Sequence, residues 1–145
     1  VIALDTNVLV AAHRRESEQH AAATALLRAL AEGSAPWAIP WTCLCEFHAV
    51  VTHPRLWRGA ESTPSQAWAQ LDAWCASPSV RLLAEVEASF ALLRELARRP
   101  RVRGSAVHDA RVAAQCLAHG VTELLTRDRD FAAFPELRTR NPFEG

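Results

Sequence analysis

The sequence predicts an α/β domain: a short parallel sheet wrapped by helices. Three observations carry this. Short apolar runs alternate with longer segments of helical character, the pattern of strands joined by helical crossovers. Glycine and proline punctuate the segments at their ends. No internal repeat, low-complexity tract or linker interrupts the alternation, so residues 1–145 are expected to form a single domain.

The elements follow in order. VIAL (1–4) is an apolar run ending at Asp5 and reads as a buried strand. NVLVAAHR is helical. HAAATALLRALAEG is rich in alanine and leucine, with Gly33 as its stop. WAIP (37–40) is a strand closed by Pro40, and TCLCEFHAVVTH is a helix from about Thr42 that ends before Pro54. Residues 54–64 are expected to be a loop. SQAWAQLDAWCA places Trp68, Leu71, Trp74 and Cys75 at helical spacing, the signature of core packing. VRLLA (80–84) is a strand, VEASFALLRELARR a helix and PRVRGSAV a basic loop. HDARVAAQCLAHG is a helix stopped by Gly120, TELLT (122–126) a strand, and LRTRNP holds a last short strand.

Half of the residues are apolar and 22% are charged, which suits a globular protein and excludes a disordered chain. No apolar run approaches the roughly 20 residues that span a bilayer, so no membrane association is expected. VIALDTN lacks the basic start and long apolar stretch of a signal peptide, which makes the cytoplasm the expected location. Cys43, Cys45, Cys75 and Cys116 lack the paired knuckle spacing of a zinc site and are expected to be reduced and packed as small hydrophobes. The net charge is zero, and all 16 basic residues are arginine, a bias that composition explains more simply than phosphate binding.

The stretch LLTRDRDF (124–131) poses the functional question, because two carboxylates follow directly on a buried strand. In open parallel sheets, ligands bind beyond the carboxyl ends of the strands. Asp5 directly follows VIAL, and Asp128 follows TELLT after one arginine, so both project onto the same edge. Glu46 lies in TCLCEFHAVV, a helix that is otherwise mostly apolar, where an unpaired carboxylate is costly. Asp109 opens HDARVAAQCLA, either as a cap for free backbone amides or as a ligand turned to a site. Converging carboxylates repel one another and raise each other's pKa, and a divalent cation removes that problem. Oxygen ligands without histidine or thiolate partners favour Mg²⁺ or Mn²⁺, which typically serve phosphate chemistry.

Four pieces in order, LDTNVLVA, a helix carrying CEF, HDARVAAQCLAHG and LLTRDRDFAAFP, span nearly the whole chain. Together they resemble the PIN-domain nucleases, and within them the VapC-type toxins of toxin–antitoxin pairs. THPRLW after the third helix resembles one VapC subgroup, some of whose chains lack the helix acid that is present here as Glu46. The resemblance implies a PIN-like three-layer α/β/α fold around a mostly parallel sheet. It also implies that Asp5, Glu46, Asp109 and Asp128 are the catalytic quartet holding Mg²⁺ or Mn²⁺, with Asp130 as a fifth ligand or an exchangeable partner of Asp128. Thr6, Asn7 and Thr126 match polar positions that orient those carboxylates, and Asn7 also suits a helix start. His108 is not carried over as catalytic.

The expected chemistry is therefore hydrolysis of an RNA phosphodiester bond, an endonucleolytic cut leaving 5′-phosphate and 3′-hydroxyl ends. Arg98, Arg99, Arg101 and Arg103 precede Asp109 in a basic loop that either guides the RNA backbone or simply solubilises the surface. Arg127 and Arg129 either screen the aspartates or point to solvent. A VapB-like antitoxin and a homodimer are implied partners, with Trp57, Trp68 and Trp74 as contact candidates if they are not core. A haloacid-dehalogenase-type phosphatase would require an aspartate where Asn7 stands, and usually a lysine that this chain lacks. An RNA-processing nuclease without antitoxin, and an inactive RNA- or partner-binding module, are the alternatives.

Overall fold

The computed structural model describes residues 1–144. Five strands, β1 (Ile2–Leu4), β2 (Trp37–Pro40), β3 (Val80–Leu83), β4 (Glu123–Leu125) and β5 (Thr139–Arg140), form one sheet in the order β3-β2-β1-β4-β5. Every neighbouring pair is parallel, with Leu4 opposite Leu125 and Pro40 opposite Leu83. Parallel neighbours cannot be joined by tight turns, so the chain crosses over through helices. These are α1 (Thr6–His13), α2 (His20–Glu32), α3 (Trp41–Val51), α4 (Pro54–Trp57), α5 (Pro64–Cys75), α6 (Glu87–Leu96) and α7 (Ala106–Ala118). They flank the sheet as a three-layer α/β/α fold. Among the described residues, no helix is long and apolar enough to cross a membrane.

The central strands are apolar because both of their faces are covered. Ala3, Leu4, Trp37, Ala38, Ile39, Leu124 and Leu125 are all essentially buried. Helix α3 meets this core through Cys43, Phe47 and Val51, one residue per turn. Phe47 packs edge-on against Trp74 of α5, with ring centroids 5.0 Å apart.

Gly33 ends α2 through close approach, since a Cβ there would stand 2.9 Å from the Ala29 carbonyl oxygen. Gly120 ends α7 by taking φ of 70°, a left-handed conformation that only glycine adopts without strain. The two-residue strand β5 has little ladder of its own. Glu123 of β4, nearly buried, receives the guanidinium groups of Arg138 and Arg140 at 3.0 Å each and holds the tail against the sheet.

Several sequence expectations need correction. Residues 54–64 are not all loop: Pro54–Trp57 form one helical turn, because His53 caps the amides of Arg55 and Leu56 and Pro54 suits a first helical position. Leu71 and Trp74 are core, but Trp68 is 58% exposed and Cys75 is also exposed. The buried stripe of α5 is Ala67, Leu71 and Trp74, and Trp68 and Cys75 each lie one position round the helix from it. Cys45 is exposed on the outer side of α3, while Cys43 and Cys116 are the buried thiols, and all four are free. Helix α7 starts at Ala106, so Asp109 lies a turn inside it rather than at its cap.

Candidate active site

The sheet order reverses at β1. The chain leaves β1 toward β2 and β3, then returns to β4 on the other side, so the segments after β1 and β4 part company at the sheet's carboxyl edge. Such a switch point opens a crevice. There Leu4 and Leu125 are in register, and the Asp5 amide donates to the Leu125 carbonyl at 3.0 Å. Asp5 and Thr126, distant in the chain, are thus side by side.

Asp5 caps α1 and is held by four donors. The Thr6 amide (2.8 Å) and the Cys43 thiol (3.6 Å) donate to Oδ1, while the Thr126 hydroxyl (2.7 Å) and the Asn7 amide (3.3 Å) donate to Oδ2. Burial raises its pKa, the negative charge of Asp128 adds to the rise, and the donors oppose both. Thr126 is a hub: its oxygen also accepts from Asn7 Nδ2 at 3.1 Å and from the Asp128 amide at 3.0 Å. Asn7 Oδ1 in turn accepts from the Arg127 amide at 3.1 Å. A hydroxyl carries one donor and two acceptor sites, and Thr126 uses all three.

The motif D-R-D is a local turn. Asp128 Oδ1 accepts from the Asp130 amide at 2.8 Å and caps a short 3-10 helix, Arg129–Ala133. Phe131 pins that turn in the core, edge-on to Phe134. The turn brings Asp130 round beside Asp128, and α7 brings Asp109 to meet them. Carboxylate oxygens of Asp109, Asp128 and Asp130 lie within 4.8 Å of one another. Asp109 is pushed up to about 6, first by burial and then by the charges of Asp128, Asp5, Asp130 and Glu46.

Asp5 and Glu46 stand outside that tight trio but line the same cavity, of about 940 Å³. Glu46 is exposed as a residue, so α3 is not apolar on that side and the cost argued from a buried position does not apply. Its carboxyl still feels the cavity: partial burial first and the charge of Asp5 second raise its pKa, while the Thr6 hydroxyl and then nearby His108 lower it.

The donor set fits a hard divalent ion. It is entirely oxygen, and its carboxylates are crowded enough to hold on to protons. Asp109, Asp128 and Asp130 would hold the ion most directly, with Asp5 and Glu46 facing it across the cavity.

The arginine cluster is placed elsewhere. Arg98, Arg99, Arg101 and Arg103 do not line the cavity. Arg99 pairs with Glu136, and Arg103 donates to the Pro100 carbonyl, so two of the four are already engaged. Arg129 pairs weakly with Glu144, whereas Arg127 lines the cavity. Sequence reading did not anticipate Cys43 as a donor to Asp5, because a thiol in an apolar helix signals only packing. It also missed Arg14 and Trp57 on the cavity wall. The signal for Trp57 was the motif THPRLW, and Arg14 had none.

The comparisons with known proteins agree on the fold and the family. The PIN domain family model matches residues 2–137. The chain is 37% identical over 145 residues to VapC ribonuclease Mb2897 of Mycobacterium bovis, covering 100% of this chain and 97% of that protein. It is 33% identical over 141 residues to ribonuclease VapC48 of Mycobacterium tuberculosis, covering 97% of each. Among solved structures it resembles Mycobacterium tuberculosis VapC20, described as a sarcin–ricin loop cleaving toxin, with a TM-score of 0.67, 20% identity and coverage of 93% and 95%. It also resembles VapBC2 from Rickettsia felis bound to a DNA fragment from their promoter, with a TM-score of 0.66, 20% identity and 96% coverage of each chain. The acid-lined α/β architecture defines the class, and the chain belongs to the PIN domain family and, within it, to the VapC ribonucleases.

Proposed function

We propose that this chain is a Mg²⁺- or Mn²⁺-dependent endoribonuclease, a toxin that acts in the cytoplasm as a single nuclease domain over residues 1–145 and is restrained by a cognate VapB-like antitoxin. The observation that carries the reading is the convergence of Asp109, Asp128 and Asp130 within one cavity that also presents Asp5 and Glu46. A divalent ion bound there supplies a water of lowered pKa and offsets the charge that grows on the phosphoryl oxygens.

The chain's own residues do the rest. Four donors fix the Asp5 carboxylate, so its orientation is set before substrate arrives. Thr126 and Asn7 tie that carboxylate to the backbone of Asp128, keeping the two acids in one geometry. Glu46, which lines the cavity outside the three carboxylates that would hold the ion most directly, can accept a proton from an attacking water on a carboxylate oxygen. Arg127 on the cavity wall can meet a phosphate, and the loop bearing Arg98, Arg99, Arg101 and Arg103 can extend that contact outward. No serine or cysteine nucleophile is required.

An antitoxin partner is supported by the kinship with VapBC2 and by a toxin–antitoxin complex from Klebsiella pneumoniae of similar fold, with a TM-score of 0.59. Pairing of two copies belongs to the same proposal, with exposed Trp68 rather than core Trp74 as a contact. The test is purified protein incubated with total RNA, with Mg²⁺ and with EDTA, followed by mapping of the cut ends. Cleavage leaving 5′-phosphates, lost in EDTA and in Asp5→Asn, is expected. Full metal-dependent cleavage by Asp5→Asn would falsify the assignment.

A further inference from the structure

The cavity is larger than an ion and one phosphate require, and it is continuous with a second region of different chemistry. Helix α1 links the two. Asp5 is its N-cap and Arg14 its C-cap, about 13 Å apart at the rise of an α-helix. Beyond Val10, the cavity wall passes to Val50, Trp57 and Arg14.

This far end is rigidly built. The Trp57 indole donates to the Val50 carbonyl at 2.8 Å, which fixes the ring. The Arg14 guanidinium lies 4.0 Å from the ring centroid. Arg14 is itself buried and held from three sides, by Glu16, by the Ala60 carbonyl at 2.8 Å and by the Ser62 hydroxyl at 3.3 Å. His13, 2.8 Å from Ser62 and 3.2 Å from Gln70, braces the hydroxyl in turn. A buried cation is costly to place, and here it covers one face of a half-buried indole on the wall of the cavity.

Val10, Val50 and the Trp57 indole make an apolar slot in this wall, and Glu16 and Ser17 add polar groups to it. An aromatic platform of this kind takes an unpaired base, because every base presents a π-face. A charged phosphate suits it less, since Arg14 already has its carboxylate in Glu16. We infer that this end of the cavity holds one unstacked RNA base on Trp57, at a fixed distance from the bond cut at the carboxylates. The inference rests on the ribonuclease reading and deepens it: the chain contacts a base at one position beside the cut.

The test uses a short oligoribonucleotide spanning a cut site mapped in total RNA. A series of such RNAs carries an abasic residue at each position in turn, and binding is measured with Ca²⁺ in place of Mg²⁺. Wild type should bind about tenfold to a hundredfold more weakly when one particular base near the cut is missing. Trp57→Ala should bind the intact RNA and that abasic RNA alike. Trp57→Leu, which keeps apolar bulk without a stacking face, should do the same if the alanine variant fails to fold. A penalty at that position that persists in either folded variant overturns the slot, as does a wild type indifferent to every abasic position. That second result would leave the wall to a protein side chain instead. A wild type that cleaves no RNA in Mg²⁺ removes the ribonuclease reading and the slot together, an outcome separate from the first two.

Discussion

The Thr126 hydroxyl donates to Asp5 Oδ2 at 2.7 Å, joining the segments that follow β1 and β4 across the switch point of the sheet. Both residues are buried, so the bond is shielded from competing water. Thr126→Val keeps the shape and deletes the hub, leaving Asp5, Asn7 and the Asp128 amide short of a partner. Loss of a buried partner costs about 1–3 kcal/mol. The variant should fold with a lower melting temperature and need more Mg²⁺ for half-maximal cleavage. A Mg²⁺ titration identical to wild type would remove Thr126 from the site.

Crowded carboxylates make the metal-free protein sensitive to pH. The folded pKa of Asp109, about 6, lies above its ordinary value, so protonation favours the fold. Its contribution is present below about pH 4 and is lost as pH rises through about 6, with Asp5 and Glu46 shifted in the same direction. Thermal melts in EDTA should show stability falling across that window. Mg²⁺ should restore more at neutral pH than in acid.

Asp109→Asn separates stability from activity. Removing one like charge from the trio should raise the metal-free melting temperature at neutral pH and flatten its pH dependence. The same change should reduce cleavage by two orders of magnitude or more, on the order expected for a lost general base or metal ligand. A variant that is both less stable and fully active would contradict the placement of Asp109.

Phe131 tests whether the core sets the geometry of the D-R-D turn. Its ring is buried directly after the turn that carries Asp128 and Asp130. Phe131→Ala should cost about 3–5 kcal/mol. It should also weaken Mg²⁺ binding, read by calorimetry, beyond what a distant core truncation such as Leu71→Ala causes at equal stability.

The basic loop has its own measurement. Arg101→Ala combined with Arg103→Ala should lower the slope of log affinity against log salt for single-stranded RNA by roughly one to two, if both contact phosphate. An unchanged slope assigns the loop to solvation.

The sequence by itself determined the strands, every helix but α4 and their parallel assembly, because the buried strands are mostly apolar and Gly33, Gly120 and the prolines mark where segments end. It also indicated Asp5 and Asp128, since each follows a strand and strand ends share an edge. Only the tertiary structure decided the remainder. Whether Asp109 caps its helix or faces the cavity depends on where α7 begins and how it lies against the 3-10 turn, a matter of three-dimensional packing. Trp57 ends α4 and Trp74 lies near the end of α5, yet one walls a cavity and the other fills the core. Trp57 is held there by Arg14, itself bound to Ala60 and Ser62, and Trp74 packs on Phe47, contacts between residues far apart in the chain that no local pattern encodes.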